Sequence, residues 1–378
     1  MQYKDYKICK KCVMDTSDPD ITFDDSGICN HCKKYEEVTN SRVYLEKRSE
    51  NALGDIIQKI KENGKNNKYD CIIGVSGGVD SSYLAYLTKN LGLRPLAVHL
   101  DNGWDSEISV QNIEKLLNKL NIPLFTFILD WDKFKKLQIA FLKSSTPDIE
   151  IPTDHAIMAV LYKIASKNKI KFIINGHNHA TESAAVSAWS QGHGDWLYIK
   201  SVYKAFYKGT LHFYPNMGFF NLIKFTLIKG IKTIPLLDYI NYSKDEALRV
   251  LKEELGWQEY GHKHFESIYT RFYQGYILPR KFGFDKRRMH LSSLIWNNEI
   301  SRNEALAKLE EPTYEEEIIK EDRNYFIKKL DLTGKEFDDI MKASPKSFND
   351  YKTYKKIISH YKPLLNLYHK LRYSKAHL

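Results

Sequence analysis

The chain has 378 residues, a length that accommodates two domains of ordinary size, or two domains with a small additional module. Its 43% of apolar and 28% of charged residues are typical of a globular protein and exclude a disordered, collagen-like or coiled-coil chain. The net charge of +10 indicates an anionic partner, a role that nucleic acid, nucleotide phosphates, a lipid surface or an acidic protein would each fill.

Four of the five cysteines form two C-x-x-C pairs near the N-terminus, Cys9 with Cys12 and Cys29 with Cys32. The 16 residues between the pairs fall within the spacing with which two such pairs close a tetrahedral site of four thiolates. In a reducing compartment this pattern predicts a metal site, with structural zinc favoured and an iron–sulfur cluster on the same ligands as the alternative. The intervening stretch has few apolar side chains, so the metal would supply the folding energy of a small zinc-binding module at residues 1–46.

A strand, a glycine turn and a helix follow in succession from residue 69. The apolar run of residues 69–75 predicts a buried strand, and the apolar spacing from Tyr83 to Leu91 predicts a helix. Between them, glycines allow a tight turn with inward N–H groups, and hydroxyl groups add donors at a helix N-terminus, which makes an anion site. The predicted phosphate-binding residues are Ser76, Gly77, Gly78, Asp80, Ser81 and Ser82, of which Ser76, Asp80 and Ser81 are assigned to catalysis.

The turn matches neither G-x-x-x-x-G-K-[ST] nor G-x-G-x-x-G, which argues against kinase, GTPase and dehydrogenase activities. Asp80 would repel phosphate unless a cation lay between them, so we expect Mg²⁺ there. An N-terminal cap of an ordinary helix is the alternative. The sequence S-G-G-V-D-S-S resembles the signature of the PP-loop ATP pyrophosphatases. That resemblance implies cleavage of ATP between its α- and β-phosphates, with AMP transferred to a substrate oxygen.

Strands and helices continue to alternate after the phosphate turn. Residues 94–100, 124–129 and 171–175 predict strands, and residues 107–120 predict a helix. This order predicts an α/β fold with a doubly wound parallel sheet. In such a sheet, the polar turns that bind ligands begin at the carboxyl ends of the strands. We assign this nucleotide-binding domain to residues 47–235. By resemblance to PP-loop enzymes, we expect Asp101, Gly176 and His177 near the nucleotide. Glu182 is expected as a second Mg²⁺ ligand. Trp104 would either stack on the base or pack in the core.

The last part of the chain, residues 236–378, has mostly helical patterns. The apolar residues 219–240 predict a helix packed on the core with its lysine ammonium groups in solvent, and a membrane interface is the alternative. Because neither a signal segment nor a bilayer-spanning run is visible, we expect a cytoplasmic protein, with peripheral attachment to the inner membrane left open. Two further polar clusters are either a solvated basic face or a clamp for phosphates and an acidic substrate; their candidate residues are His264, Glu266, Arg271, Lys281, Lys286 and Arg287.

The motifs together resemble one family over nearly the full chain, the N-acetyl sugar amidotransferases of bacterial surface-polysaccharide and nonulosonate biosynthesis. The resemblance implies that ATP activates the N-acetyl group of a nucleotide-activated sugar and that ammonia replaces its oxygen, giving an acetamidino sugar for lipopolysaccharide O-antigen or flagellin glycan. The segments that carry it are C-x-x-C-V-M-D-T-S-D-P at 9–19, G-x-C-N-H-C at 27–32, the S-G-G-V-D-S-S turn, L-D-N-G-W at 100–104, N-G-H-N at 175–178, K-H-F-E-S at 263–267 and L-P-R-K-F-G-F-D-K-R-R-M-H-L-S at 278–292.

The source of ammonia is a separate question, because its release from glutamine needs a cysteine nucleophile. Four cysteines are assigned to the metal and Cys71 to the buried first strand, so a partner must supply the ammonia. The resemblance implies a separate HisH-like glutaminase with a HisF-like subunit that channels the ammonia.

Two other functions compete with amidotransfer. A tRNA-thiolating enzyme, with RNA as its partner, would also combine zinc knuckles, a PP-loop and a pI near 9.0. Sulfur transfer generally calls for a spare reactive cysteine or for a cluster in the catalytic domain, and Cys71 is the remaining cysteine. A zinc-anchored scaffold with a degenerate loop is disfavoured, because the S-G-G-V-D-S-S turn is intact.

Overall fold

A computed structural model describes residues 6–260, 265–355 and 363. Within them, five parallel strands form a sheet in the order β3-β2-β1-β4-β5. The strands are β1 (Cys71–Gly74), β2 (Pro95–Asp101), β3 (Leu124–Ile128), β4 (Phe172–Asn175) and β5 (Lys232–Pro235).

Helices alternate with the strands and then make up the rest of the described chain. The α-helices are α1 (Asn30–Thr39), α2 (Arg42–Lys47), α3 (Ala52–Gly64), α4 (Val79–Asn90), α5 (Glu107–Leu120), α6 (Trp131–Ser144), α7 (Ile151–Lys167), α8 (His179–Glu182), α9 (Trp196–Phe206), α10 (Phe219–Ile223), α11 (Lys244–Leu255), α12 (Ile268–Phe272), α13 (Arg287–Trp296), α14 (Arg302–Glu310), α15 (Glu316–Lys329) and α16 (Gly334–Lys342). π-Helical turns extend α10 over Lys224–Ile228 and α12 over Tyr273–Phe282, and 3₁₀ turns span Leu236–Tyr239 and Phe348–Asp350.

The sheet is covered by helices on both faces. On one face, Leu84 of α4 and Leu251 of α11 belong to the same buried cluster as Ile73 of β1. On the other face, Ala159 of α7 belongs to the cluster that contains Ile72. A strand covered on both sides is apolar at successive positions, which is why β1 shows no alternation. The predicted α/β fold with a doubly wound parallel sheet is confirmed, and so is the mostly helical character of the C-terminal region.

The order of the strands places the two glycine turns side by side. β1 pairs with both β2 and β4, with Ile73 opposite Ala97 on one side and Ile174 on the other. The chain therefore changes direction across the sheet between β1 and β4. In open parallel sheets, ligands bind in the crevice outside the carboxyl ends of the strands at such a switch point. The turns that follow β1 and β4 form this crevice.

The segment 219–240 differs from the sequence prediction. Its first ten residues are helical, but β5 and a 3₁₀ turn follow, so the prediction of one helix is wrong. Gly230 has φ +64, a left-handed conformation that glycine adopts without strain, and the chain then pairs with β4. The helical part buries Phe225 and leaves Phe220 and Ile228 83% and 77% exposed. Across the described residues, no helix combines the length and hydrophobicity that crossing a bilayer requires.

Candidate active site and metal centre

The phosphate turn between β1 and α4 needs glycine at its second position. Gly77 has φ +79, and a Cβ there would lie 2.6 Å from the carbonyl oxygen of Ser109 at the N-terminus of α5. The indole Nε1 of Trp257 donates a hydrogen bond of 3.2 Å to the carbonyl oxygen of Gly77. The turn is thus held between α5 and the segment that follows α11.

Hydroxyl groups within the turn hold it together and leave one polar atom unpaired. The Ser81 hydroxyl accepts a hydrogen bond from the Ser76 N–H at 3.2 Å and donates to the Gly78 carbonyl at 3.1 Å. Ser82 is 1% exposed, and its Oγ has no hydrogen-bond partner among the described residues. The buried Oδ1 of Asn175, at the end of β4, also lacks one within that part of the chain. Since buried polar atoms are normally paired, the Ser82 hydroxyl at a helix N-terminus fits an anionic ligand such as ATP, whereas the Asn175 oxygen needs a hydrogen-bond donor or a cation.

The two residues predicted to bind Mg²⁺ lie on adjacent turns. Asp80, in the first turn of α4, accepts a hydrogen bond from the Tyr242 hydroxyl. A Cβ on Gly176 would lie 3.2 Å from the backbone of Asp80, so the β4–α8 turn runs directly past it. Glu182, the last residue of α8, lies after that turn, and its Oε2 is 2.7 Å from Nδ1 of His177 on the turn. Burial raises the pKa of Tyr242, and the charges of both carboxylates raise it further.

This carboxylate arrangement suits magnesium bound together with nucleotide. Mg²⁺ usually takes one or two protein carboxylates, with phosphate oxygens and water completing its shell. Glu266 Oε1 would lie 3.6 Å from a Cβ on Gly78, so a third carboxylate reaches the phosphate turn. In the part of the chain that the structure describes, three or more metal-ligating side chains converge only at the four N-terminal cysteines. The carboxylates at the turn therefore need the phosphates of ATP to complete a site.

Both turns open into a cavity of about 1580 Å³. Sites for a single small ligand commonly measure roughly 300–1,000 Å³, so this cavity has room for a nucleotide and a second substrate. The sheet edge contributes one wall, and residues C-terminal to residue 264 contribute another. Predicted site residues in the lining are Ser76, Gly176, His177, Glu182, Glu266, Arg271, Lys286 and Arg287.

Two of the cavity-lining arginines are also structural. The Arg271 guanidinium binds both carboxylate oxygens of the buried Asp322, at 2.6 and 2.7 Å. Arg287 pairs with Asp285 at 2.7 Å and donates to the carbonyl oxygen of Glu311 at 3.1 Å. Each arginine thus meets the cavity with part of its charge already neutralised.

The structure differs from the prediction for Lys281 and decides between the two alternatives for Trp104. Lys281 is absent from the cavity lining and donates to Ser145 Oγ at 2.9 Å and to the carbonyl oxygen of Ile340, while burial lowers its pKa to about 8. Trp104 is fully buried, and its Nε1 donates to Gln138 at 3.0 Å, so it packs in the core instead of stacking on a base. His264 lies outside the described residues.

The turn after β2 presents a different residue from the one predicted. Asp101 Oδ1 accepts a hydrogen bond from the Gly103 N–H at 2.8 Å and shapes the turn, while Asn102 lines the cavity. His99, which the sequence analysis did not single out, also lines it. Its Nδ1 donates to the Val75 carbonyl at 2.9 Å and its Nε2 is 3.3 Å from Asp105. Burial lowers the pKa of His99, but the hydrogen bond and charge of Asp105 outweigh it, so the net change is upward.

A second group that the sequence analysis missed lies around His193. Its Nε2 is 3.2 Å from Asp148 Oδ2 and 3.3 Å from Asp154 Oδ2. Glu150, Asp154 and His193 line the cavity. These residues match no recognised motif, because they come from two separate segments, the start of α7 with the residues before it and the loop that contains His193. The sequence signal was weak: acidic residues and prolines alternate just before a helix in P-D-I-E-I-P-T-D, and G-H-G-D follows at 192–195.

The four N-terminal cysteines converge on one point. Their sulfur atoms all lie within 4.8 Å of one another, with neighbouring pairs 3.6–3.7 Å apart. The edge of a tetrahedron whose metal–sulfur bonds are about 2.3 Å is about 3.8 Å, so the spacing fits a four-thiolate metal site and is far too long for disulfides. Backbone N–H groups point at the sulfurs, including those of Lys11 and Cys29 towards Cys9 Sγ. The site is fully buried, as a closed structural centre requires.

The cysteine module contacts two walls of the cavity. Trp296 of α13 donates its indole N–H to Cys32 Sγ at 3.2 Å, and Arg288 of the same helix pairs with Asp15 at 3.0 Å. On the other side, Tyr35 of α1 stacks on His179 in the β4–α8 turn, with ring centroids 4.9 Å apart. The metal site is therefore tied to the turn that passes Asp80 and to the helix that follows Lys286.

Comparisons with known protein families match two separate parts of the chain. Residues 49–209 match the family described as NAD synthase, and residues 266–367 match the family "LPS biosynthesis protein WbpG-like, C-terminal domain". With the five-stranded sheet, the first match supports a PP-loop nucleotide-binding fold and an ATP-using enzyme. The second supports a protein of the lipopolysaccharide-biosynthesis type.

Curated relatives match parts of the chain. A tRNA-specific 2-thiouridylase MnmA from Desulfosudis oleivorans is 32% identical over 78 residues, which cover 20% of this chain and 22% of that protein. The MnmA of Mycoplasmopsis synoviae is 26% identical over 162 residues, or 36% of this chain and 43% of the relative. The chain thus spans less than half the length of these relatives.

Similar solved structures include NMN synthetase from Francisella tularensis, with a TM-score of 0.33 and 17% identity over 65% of this chain and 93% of that one. Another is the U34-tRNA thiolase NcsA from Methanococcus maripaludis with its [4Fe-4S] cluster, with a TM-score of 0.34 and 15% identity over 84% and 87% of the two chains.

The metal site generates the first prediction. We expect purified protein to contain one zinc ion per chain, and Cys12→Ser to lose it together with the folded cysteine module, because this module has little apolar core. Metal content by mass spectrometry and the thermal unfolding midpoint measure both effects. Cys71→Ala, which removes a thiol outside the module, is the control and should keep the metal. A visible absorption band with bound iron would assign an iron–sulfur cluster, and metal retained in Cys12→Ser would contradict the four-thiolate site.

A second prediction concerns Gly77 in the phosphate turn. In Gly77→Ala the new methyl group would meet the Ser109 carbonyl in a left-handed backbone conformation, a strain of roughly 1–3 kcal/mol. We expect ATP affinity to fall roughly tenfold or more, measured by calorimetric titration with Mg²⁺. Gly54→Ala is the matched control, because Gly54 is exposed and has nothing within 4 Å of its Cβ position. Equal ATP affinities of the two variants would contradict the assignment.

Proposed function

We propose that this chain is an ATP-dependent amidotransferase that transfers AMP to the acetamido oxygen of a nucleotide-activated N-acetyl sugar, which ammonia then converts to an acetamidino group. The observation that carries the proposal is a shared cavity. The region matching the WbpG-like C-terminal domain contributes Arg271, Lys286 and Arg287 to the cavity that Ser76, the first residue of the phosphate turn, also lines. We therefore place the nucleotide at the sheet edge and the sugar substrate against the opposite wall of the same cavity.

The chemistry requires activation of the amide. An acetamido carbon is a poor electrophile and its oxygen a poor leaving group, so ammonia does not displace the oxygen unaided. Transfer of AMP to that oxygen releases pyrophosphate and makes the oxygen part of a phosphate ester. Ammonia then adds to the carbon and AMP departs. The rate gain comes from aligning the amide oxygen with the α-phosphate and from neutralising the phosphate charge.

The chain's own residues serve the binding and alignment steps. The N–H groups of Gly77 and Gly78 and the hydroxyls of Ser76, Ser81 and Ser82 cradle the phosphates at the N-terminus of α4. Asp80 and Glu182 would hold Mg²⁺, which when bound neutralises phosphate charge. Lys286, Arg271 and Arg287 supply positive charge on the opposite wall for the diphosphate of a nucleotide sugar.

The cysteines support an external source of ammonia. Cys71 is fully buried in β1, and burial raises the pKa of its thiol, which disfavours the reactive thiolate. The other four cysteines converge on the metal site. We therefore propose that a separate HisH-like glutaminase, with a HisF-like subunit, supplies the ammonia.

Thiolation of tRNA is the second candidate, favoured by the matches to MnmA proteins. The same cysteine argument weighs against it, because a persulfide carrier must be accessible and Cys71 is not. Retention of stoichiometric tRNA and sulfur incorporation into it would favour this second candidate.

The third prediction tests the amidotransferase proposal. Incubation with ATP, Mg²⁺, an ammonium salt and candidate UDP- or CMP-linked N-acetyl sugars should yield a product in which one oxygen is replaced by NH. Mass spectrometry detects the exchange, and the same sugars lacking the N-acetyl group are the control. Failure of every N-acetylated sugar to react, with transfer RNA thiolated instead, would contradict the proposal.

A further inference from the structure

Two aspartates flank one histidine at the edge of the cavity. Asp148 is 4% exposed, lies behind the cavity wall and accepts a hydrogen bond of 2.6 Å from Ser190 in addition to its contact with His193. Asp154 contacts the same nitrogen, His193 Nε2, and faces the cavity, with half of its side-chain surface accessible. The imidazole nitrogen therefore lies between a buried carboxylate and a carboxylate that a substrate can reach.

The surroundings drive the pKa values of the two carboxyl groups apart. For Asp148, burial raises the pKa, but the hydrogen bond and charge of His193 and the charge of Lys286 outweigh it, and the pKa falls to about 2. Asp154 is half accessible but enclosed by the cavity walls, and this desolvation is the largest cause that raises its pKa. The charges of Glu150 and Asp148 raise the pKa further, to about 6, despite His193 and Lys286. When the pKa values of two neighbouring carboxyl groups differ in this way, the group with the low pKa stays ionised and the group with the raised pKa can transfer a proton.

The backbone places Asp154 near the phosphate turn. It lies in the first turn of α7, and α7 runs back beneath the sheet to the start of β4, so this turn of the helix lies at the carboxyl edge. Leu161 of α7 would be 3.8 Å from a Cβ on Gly74, the last residue of β1. Seven residues of helix separate Leu161 from Asp154, or about 10 Å at 1.5 Å per residue. Asp154 therefore lies beyond the carboxyl end of β1, in the cavity that Ser76 of the phosphate turn also lines.

We propose that Asp154 is the catalytic proton acceptor for the nitrogen nucleophile, and that His193 and Asp148 are positioning residues that hold it. The assignment rests on the proposed amidotransferase function. An ammonium ion, attracted by the carboxylates, gives one proton to Asp154 and becomes ammonia. Its lone pair forms the C–N bond to the activated carbon, the bond from that carbon to oxygen breaks, and AMP leaves with the electron pair. The product departs as an amidinium cation, and Asp154 returns its proton to water.

The sign of the pH dependence follows from this role. The acceptor must be ionised, so amination should rise with pH through a midpoint near 6, the pKa of Asp154. The charged groups that face Asp154 are His193, Lys286, Glu150 and Asp148. His193 lowers the pKa of Asp154, so removing its charge should move the midpoint to higher pH.

The fourth prediction compares Asp154→Asn with Asp132→Asn, which alters an exposed aspartate of α6. With ATP, an ammonium salt and an accepted N-acetylated nucleotide sugar, we expect Asp154→Asn to lose amidine formation roughly 100-fold or more, the scale of a general base. Pyrophosphate release on first exposure to the sugar should persist in a single-turnover experiment, because AMP transfer precedes the ammonia step. In His193→Gln the midpoint of amidine formation should shift to higher pH, and Asp132→Asn should match the unmodified chain.

Each result either supports or overturns the assignment. Amidine formation in Asp154→Asn within threefold of the unmodified chain, or a His193→Gln midpoint that does not move, would refute the role of Asp154 while leaving amidotransfer intact. Loss of pyrophosphate release together with amidine formation would show that Asp154 acts in binding and would also overturn it. If the unmodified chain itself releases pyrophosphate and never exchanges oxygen for nitrogen, the proposed function fails, and the assignment fails with it.

Discussion

The candidate site depends on the parallel pairing of the strands. Because β1, β2 and β4 run in the same direction, the turns that follow them meet at one edge of the sheet, and β1 and β4 are neighbours there. The tight passage of Gly77 against the carbonyl of Ser109 fixes the first turn, and the passage of Gly176 against Asp80 fixes its neighbour. Hydroxyl groups, N–H groups and carboxylates are thereby brought together at a helix N-terminus, where a phosphate chain is stabilised.

The N-terminal cysteine module lies outside the nucleotide-binding sheet and packs against the elements at this edge. Through Tyr35 and His179 it contacts the β4–α8 turn, and through Cys32, Trp296 and Arg288 it contacts α13, whose residues line the opposite wall of the cavity. A four-thiolate metal stabilises a small module that lacks an apolar core of its own. The centre is buried and has no position open to substrate, so its role in this account is to set the spacing between the two walls.

Much of the sheet could be predicted from the sequence, because its strands are short apolar runs separated by helical patterns. β1, β2, β3 and β4 lie within the predicted segments or within one residue of them, whereas β5 was hidden in an apolar run whose periodicity alone does not separate strand from helix. The phosphate turn and the cysteine pairs were visible because their spacing is local. No such local signal marks four other residues, because only tertiary packing brings them together beside the cavity: His99, Asp148, Asp154 and His193. Lys281 was selected for its charge, but it donates a hydrogen bond to Ser145 instead.

The central claim is that AMP, and not the terminal phosphoryl group, moves to the oxygen of an N-acetyl group. The most direct measurement uses a nucleotide sugar with ¹⁸O in that acetamido oxygen, turned over with ATP, Mg²⁺ and ammonium and followed by ³¹P NMR and mass spectrometry. We expect pyrophosphate without label and AMP that carries the ¹⁸O, because the bridging oxygen leaves with AMP. Formation of ADP and orthophosphate, or AMP without ¹⁸O alongside an aminated product, would contradict it.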